Sequence, residues 1–213
     1  MRSDLDTYRD LATTSGVKIV HVIDTHVHAD HVSGGRALAE SVGARYYLHE
    51  SAKASFQFHG LKDGELLELG NVGIRVMHTP GHTPDSVCLV VVDRTRGDEP
   101  WFVLTGDALL VGDVGRPDLS PERNIDAIYD SLHARLAPLP DDVEVFPAHY
   151  SGSVCGRALS GKASSTLGFE RRHNAAFEPR SLEAFRRFIM ESLPPKPPEF
   201  ERIVEMNLGR TTS

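Results

Sequence analysis

Apolar positions recur at helical spacing in the opening stretch "DLDTYRDLATTSG", where Leu5, Tyr8, Leu11 and Ala12 share one side and Gly16 is placed to end the helix. The largely apolar run "VKIVHVID" then reads as a buried strand, "SGGRALAESVG" as a short helix with Ser33 as its cap, and "ARYYLHE" as a return to strand. From Glu65 to Asp93 the pattern shortens to that of strands: "ELLEL", a turn at Gly70-Asn71, "VGIRVMH", the loop "TPGHTPDS" and "VCLVVVD". "WFVLTGDALL" is a further strand carrying Asp107 at its C-terminal end. "ERNIDAIYDSLHARL" is an amphipathic helix, with Ser120 as cap and Pro121 at its first position. "VEVFPAHY" is a late strand ending at His149, and "SSTLGFERRHNAAF" and "SLEAFRRFIMESL" read as helices separated by Pro179. The proline-rich "PPKPPEF" and a short last segment ending at Gly209 follow.

No internal repeat and no dividing linker appears, so residues 1–213 are expected to form a single domain. Strands precede helices in two rough halves, which favours α+β sheets covered by helices over a doubly wound parallel sheet. Composition narrows this only a little. The hydrophobic share of 40% and charged share of 25% suit a globular protein, and no apolar run is long enough to span a bilayer. The net charge of −7 argues against a nucleic-acid surface. The charged start has no apolar core of a secretory signal, and Cys88 and Cys155 make no disulfide framework, so a cytoplasmic protein with reduced thiols is expected.

Titratable residues gather where strands give way to loops. "THVHADHVSGG" holds His26, His28, Asp30 and His31; "TPGHT" adds His82, "TGDA" adds Asp107 and "PAHY" adds His149. Buried without partners, such groups would each cost several kcal/mol. A cation reverses that, and imidazole with carboxylate suits zinc, iron or manganese. A lone histidine at a strand end is usually a satisfied surface or core residue, and His21, His49, His59, His78, His133 and His173 keep that reading. The tight H-x-H-x-D-H spacing, joined by three later positions beside glycine or proline turns, points to metal.

Together "THVHADHVSGG", "TPGHTPDS", "TGDALL" and "FPAHY" resemble the metallo-β-lactamase superfamily, which implies an αββα sandwich with a metal at one edge of its two sheets. "TGDALLVGDVGRPDL", "GSVCGRALSGKASSTLGFERRHN" and "LPPKPPEFERIVEMNLG" narrow the resemblance to the persulfide (sulfur) dioxygenases, especially those related to rhodanese-fused forms. Neither a rhodanese domain nor the C-terminal helical domain of hydroxyacylglutathione hydrolases is seen in the sequence.

The resemblance implies one Fe(II) on His26, His82 and Asp107, a two-histidine, one-carboxylate set that leaves three positions open. His28, Asp30, His31 and His149 complete the motif of a dinuclear site. The implied reaction oxidises glutathione persulfide with O2 to sulfite and glutathione. Asp30 and His31 are expected to orient His26 and bound water. Arg116 and Arg171 match positions near the family's substrate, and a guanidinium suits the carboxylates of glutathione; a structural arginine is the alternative for each. Thr105 and Tyr150 are further substrate candidates. Cys155 is another, either exchanging with a persulfide or serving as a small buried residue.

Family members open with further strands that end in an Asp-Pro, and this sequence has no such opening; their loss would bare sheet edges. A start set too late, a fragment and a natural short form each account for it. Two other functions stay open. A dinuclear zinc hydrolase of a glutathione thioester would use all seven ligands to generate hydroxide. A non-catalytic metal- or persulfide-binding protein is the third reading. No membrane or nucleic-acid partner is expected, and a homodimer is left open.

Overall fold

The structure is a computed structural model describing residues 4–119, 124–150, 153, 155–157, 160–179, 181–191, 193 and 195–211. Contacts divide the chain into two compact units, residues 62–196 and residues 1–61 with 197–213.

The terminal unit begins with α1 (Leu5–Thr14), whose N-terminus is closed by the Asp4 carboxylate accepting from the Thr7 N–H. β1 (His21–Ile23), β2 (Arg45–His49) and β3 (His59–Leu61) form a parallel sheet in that order, and α2 (Gly35–Val42) crosses from β1 to β2. β1 is shorter than "VKIVHVID" suggests. It is an edge strand whose ladder starts at the His21–Arg45 pair, and Val17 and Val20 stay exposed. β3 was not foreseen, because three residues including Gly60 carry too little pattern to read. Gly34 holds the cap position of α2, and Ser33, one residue earlier, still accepts from the Gly35 N–H at 3.0 Å while its hydroxyl donates to Asp24.

The central unit holds β4 (Leu66–Leu69), β5 (Val72–His78), β6 (Val87–Asp93) and β7 (Phe102–Gly106), all antiparallel neighbours. These follow the sequence reading closely. β8 (Glu144–Pro147) then joins β7 in parallel and β9 (Ser165–Thr166) closes the six-stranded sheet. Between β7 and β8 runs α3 (Ile125–Asp130), continued by a π-helical segment, Ser131–Leu136. The expected cap at Ser120 and Pro121 lies outside the described residues; the described helix is capped by Asn124, whose side chain accepts from the Ala127 N–H. "SSTLGFERRHNAAF" is not one helix. Its start pairs as β9, α4 spans Leu167–His173, and Asn174 turns to extended backbone before a 3₁₀ turn, Ala175–Phe177. α5 (Leu182–Glu191) follows. Leu132, Leu136, Phe185 and Ile189 pack with Val90, Val103 and Val145 of the sheet, forming this unit's core. Cys88 belongs to that core, and burial pushes its thiol up to about 12, so it stays protonated and inert.

The chain then returns to the terminal unit with α6 (Phe200–Asn207), a helix the proline-rich approach had concealed. Leu208, just past its end, is buried with Val22, Leu38, Tyr46 and Leu48. Among the described residues no helix is long and apolar enough to cross a membrane.

Candidate metal centre

In the central unit, sheet register brings three predicted donors to one end. The Leu89–Leu104 pairing sets the start of β6 beside the end of β7, so the loop 79–86 carrying His82 borders Asp107. β7 and β8 run parallel with Gly106 opposite Pro147, so His149 emerges at the same end. Pro147 offers no N–H to continue the strand, and Ala148 turns in by donating to the Gly106 carbonyl at 2.9 Å.

The loop geometry is tightly determined. Gly81, at φ +136°, lies so close to Ile128 that a Cβ would come within 2.3 Å of its side chain. The first π-helical residue, Ser131, donates to the Pro80 carbonyl at 2.8 Å. After Asp107, Ala108 donates to the Thr105 carbonyl, the Thr105 hydroxyl donates to the Leu109 carbonyl at 2.7 Å, and Gly115 donates to the Asp107 carbonyl at 2.9 Å. α4 pins the same loop from outside. The buried Glu170 carboxylate accepts from the Gly112 N–H, while the Asn174 amide donates to the Leu110 and Asp113 carbonyls and to Glu170. Arg157 forms a buried ion pair with Asp113.

Within this frame His82 Nδ1 lies 2.9 Å from the Arg116 carbonyl, which can only accept, so Nδ1 carries a proton. In the neutral ring Nε2 then presents its lone pair 3.2 Å from Asp107 Oδ2, with both side chains essentially inaccessible. A lone pair facing a buried carboxylate is repulsive unless a proton or a metal cation stands between them. Ligand bonds of about 2.1 Å put neighbouring donor atoms roughly 3.0–3.4 Å apart, so the spacing fits a shared metal. His149 Nδ1 donates to both Asp107 oxygens, at 2.8 and 2.9 Å, and so fixes the carboxylate.

In the terminal unit the loop after β1 gathers the remaining donors. The His26, His28 and His31 rings follow one another with centroids 4.3 and 4.4 Å apart. His31 Nδ1 approaches Asp30 Oδ1 to 3.1 Å, and donor atoms of His28, Asp30 and His31 lie within 4.8 Å of one another, a group able to hold a metal. His26 is fully buried and shares a 3.1 Å hydrogen bond with the Thr25 hydroxyl through Nδ1. Asp24 sets the base of the loop. Its Oδ2 accepts from the Ser33 and Tyr46 hydroxyls at 2.6 and 2.7 Å, and Gly35 packs against it where a Cβ would meet it at 3.0 Å.

The structure gives several of the expected substrate residues partners within the protein. The Arg116 guanidinium is buried on Asp118, at 2.7 and 2.8 Å. Burial raises the Asp118 carboxyl, but hydrogen bonding and charge from Arg116 outweigh it and hold the group below the usual range. Arg171 bonds Asp141 and the Ala137 carbonyl. Both forks have acceptors within the protein. Thr105 is buried with its hydroxyl on the Leu109 carbonyl, so it shapes the Asp107 turn. Tyr150 is exposed. Cys155 is buried, with Sγ within 4.8 Å of a His149 ring nitrogen. Asp24, Gly115, Glu170, Asn174 and Asn207 went unrecognised in the sequence, although each lies inside or beside a stretch already marked by glycine or histidine.

Residues 11–149 match the model of the metallo-β-lactamase superfamily. The human mitochondrial persulfide dioxygenase ETHE1 is 29% identical over 91% of this chain and 70% of its own. A hydroxyacylglutathione hydrolase from Polaromonas is 32% identical over 68% of this chain and 54% of its own. Among solved structures, a metallo-β-lactamase from Staphylococcus aureus superposes with a TM-score of 0.91 at 29% identity, covering 99% of this chain. The chain spans 64% of that protein's length. ETHE1 from Myxococcus xanthus gives 0.82 at 30% identity, covering 97% of this chain and 84% of its own. The match covers more than half of the chain and the solved relatives share its fold throughout: the chain belongs to the metallo-β-lactamase superfamily, with the ETHE1 persulfide dioxygenases among its homologues.

Proposed function

We propose that this protein is a cytoplasmic persulfide dioxygenase that converts glutathione persulfide, O2 and water to glutathione and sulfite. Atoms and charge balance as GSS⁻ + O2 + H2O → GSH + SO3²⁻ + H⁺. The observation that carries the reading is the buried approach of His82 Nε2 to Asp107 Oδ2, two donors already spaced for one cation. The family resemblance adds His26 to these two donors, and such a two-histidine, one-carboxylate set suits non-haem iron and leaves coordination positions open. Bound there, Fe(II) would supply redox capacity and adjacent sites for a persulfide sulfur and dioxygen.

The chain's own residues do the rest. The Arg116 carbonyl holds the His82 tautomer, and His149 fixes the Asp107 carboxylate by donating to both its oxygens. Asp30 and His31, joined at 3.1 Å, form a pair able to hold or pass a proton beside His28. Cys155, buried near His149, gives the site a soft neighbour for a sulfur substrate. The resemblance of most of the chain to ETHE1 persulfide dioxygenases supports the same substrate class.

A second reading has an observation of its own. The His28, Asp30 and His31 group would serve a second metal, as a zinc hydrolase of a glutathione thioester requires, and a hydroxyacylglutathione hydrolase is among the relatives. Elemental analysis of protein purified without oxygen or added metal, followed by an oxygen electrode, separates the two. About one iron per chain, with O2 uptake on glutathione persulfide and sulfite as product, is expected. Two zincs per chain with anaerobic thioester cleavage would overturn the dioxygenase.

A further inference from the structure

We infer that Asn207, the last residue of α6, is a positioning residue that sets the backbone of the histidine loop after β1. The inference rests on the reading of that loop as a metal-ligand loop.

One side-chain amide makes three contacts with the loop. Asn207 Nδ2 donates to the His28 carbonyl and to the His31 carbonyl, each at 2.8 Å, and Oδ1 accepts the Ser33 N–H, also at 2.8 Å. Two donors and one acceptor in this arrangement are what an asparagine amide supplies. An aspartate would keep the acceptor for Ser33 and turn its second oxygen toward two carbonyls. A glutamine would carry the amide one methylene too far, and an alanine would remove all three bonds.

The residue is anchored from behind as well. Leu208 and Gly209 close the end of α6 by donating to the Val204 and Met206 carbonyls, at 2.8 and 2.9 Å. The Leu208 carbonyl accepts from the Ser55 N–H at 2.8 Å, and the Ser55 hydroxyl contacts the Leu208 and Gly209 carbonyls at 3.0 and 2.6 Å. Gly209, at φ +70°, packs where a Cβ would meet the Phe56 ring at 2.7 Å. Arg210 donates to the Lys53 carbonyl. The helix end is thus clipped to residues 53–56 on one side and to the histidine loop on the other. A fixed template of this kind holds the peptide units of His28 and His31, and with them the loop that carries the proposed ligand His26, before any metal arrives, which lowers the ordering cost of binding.

The test compares apo wild-type, N207A and N207D proteins titrated with Co(II), whose visible absorption reports coordination geometry. Thermal melting of the apo forms and amide exchange at Ser33 are followed in parallel. Wild type is expected to bind Co(II), and both variants are expected to bind roughly 10–100-fold more weakly with an altered spectrum while still folded. Exchange at Ser33 should rise in N207A and stay slow in N207D, because the aspartate retains the acceptor. If N207A does not fold, N207D carries the same comparison. Wild-type affinity and spectrum in a folded variant would overturn the inference and leave the metal reading intact. Failure of the wild type to bind Co(II) would overturn both.

Discussion

At the scale of single residues, the candidate centre is held by close approach as much as by hydrogen bonds. Gly115 shows this most plainly: a Cβ there would lie 2.2 Å from the Asp107 carbonyl and 2.7 Å from His82 Nδ1. Neither neighbour can give way, since one is backbone and the other is tied to the Arg116 carbonyl. Gly115→Ala should therefore push His82 and Asp107 apart, weakening metal binding by roughly 10–100-fold and costing about 1–3 kcal/mol of stability. Gly161→Ala is the matched control, since nothing lies within 4 Å of its would-be Cβ. Metal titration and thermal melting of the two variants check this, and equal behaviour would show that the close approach at Gly115 is not what holds the donors. The sequence marked Asp107 and His82 but not Gly115. Their chemistry shows in residue type, whereas a steric need for glycine shows only when its neighbours are known.

At the scale of elements, α4 acts on the centre through the loop 107–118 without contributing a proposed ligand. Asn174 donates to two loop carbonyls and to Glu170, and its own oxygen accepts the Ala176 N–H that starts the 3₁₀ turn. Removing a buried group with that many partners leaves several polar atoms unsatisfied, so Asn174→Ala should cost about 2–3 kcal/mol. For a chain of this size that lowers the melting temperature by roughly 4–12 °C. On the same helix, Arg172 makes an exposed 3.3 Å pair with Asp141 among the described residues, and Arg172→Ala should change stability by no more than about 0.5 kcal/mol. Calorimetry on both variants measures the contrast, and a small loss at Asn174 would mean that the loop keeps its shape without α4. The same region explains where element prediction failed. β4 to β7 were legible because their apolar residues and turns repeat at strand spacing, and the helix around Ile125 because its apolar face recurs at helical spacing. The break at Asn174 and the π-helical segment at Ser131 answer to tertiary bonds, with Leu110, Asp113 and Pro80, that no local window contains.

At the scale of the whole molecule, the superfamily was readable because its donors are separated by constant types of turn, and the fold followed from them. What stayed hidden was support from a distance. Asn207 reaches back 179 positions to the His28 carbonyl, and Arg157 reaches 44 to Asp113. Substrate roles for Arg116 and Arg171 came from the family resemblance and from what a guanidinium can bind, beside the alternative of a structural arginine, and the structure gives each an acid to hold. The donors themselves yield a global prediction. A ligand bound only by the folded state stabilises it by RT ln(1 + [L]/Kd), about 2.7 kcal/mol at a free concentration one hundred times Kd. Chelation of a metal-loaded sample should then lower the melting temperature by roughly 5–11 °C, and readdition should restore it. Asp107→Asn removes the charge while keeping the shape, and the His149 N–H keeps an oxygen to bond. In that variant the difference between loaded and chelated melting should shrink toward zero. A wild-type protein whose melting ignores both chelator and metal would mean that the spacing of His82 and Asp107 is bridged by a proton, with His82 as an imidazolium paired to the carboxylate. The same two side chains would then be an ion pair of the core instead of a metal site.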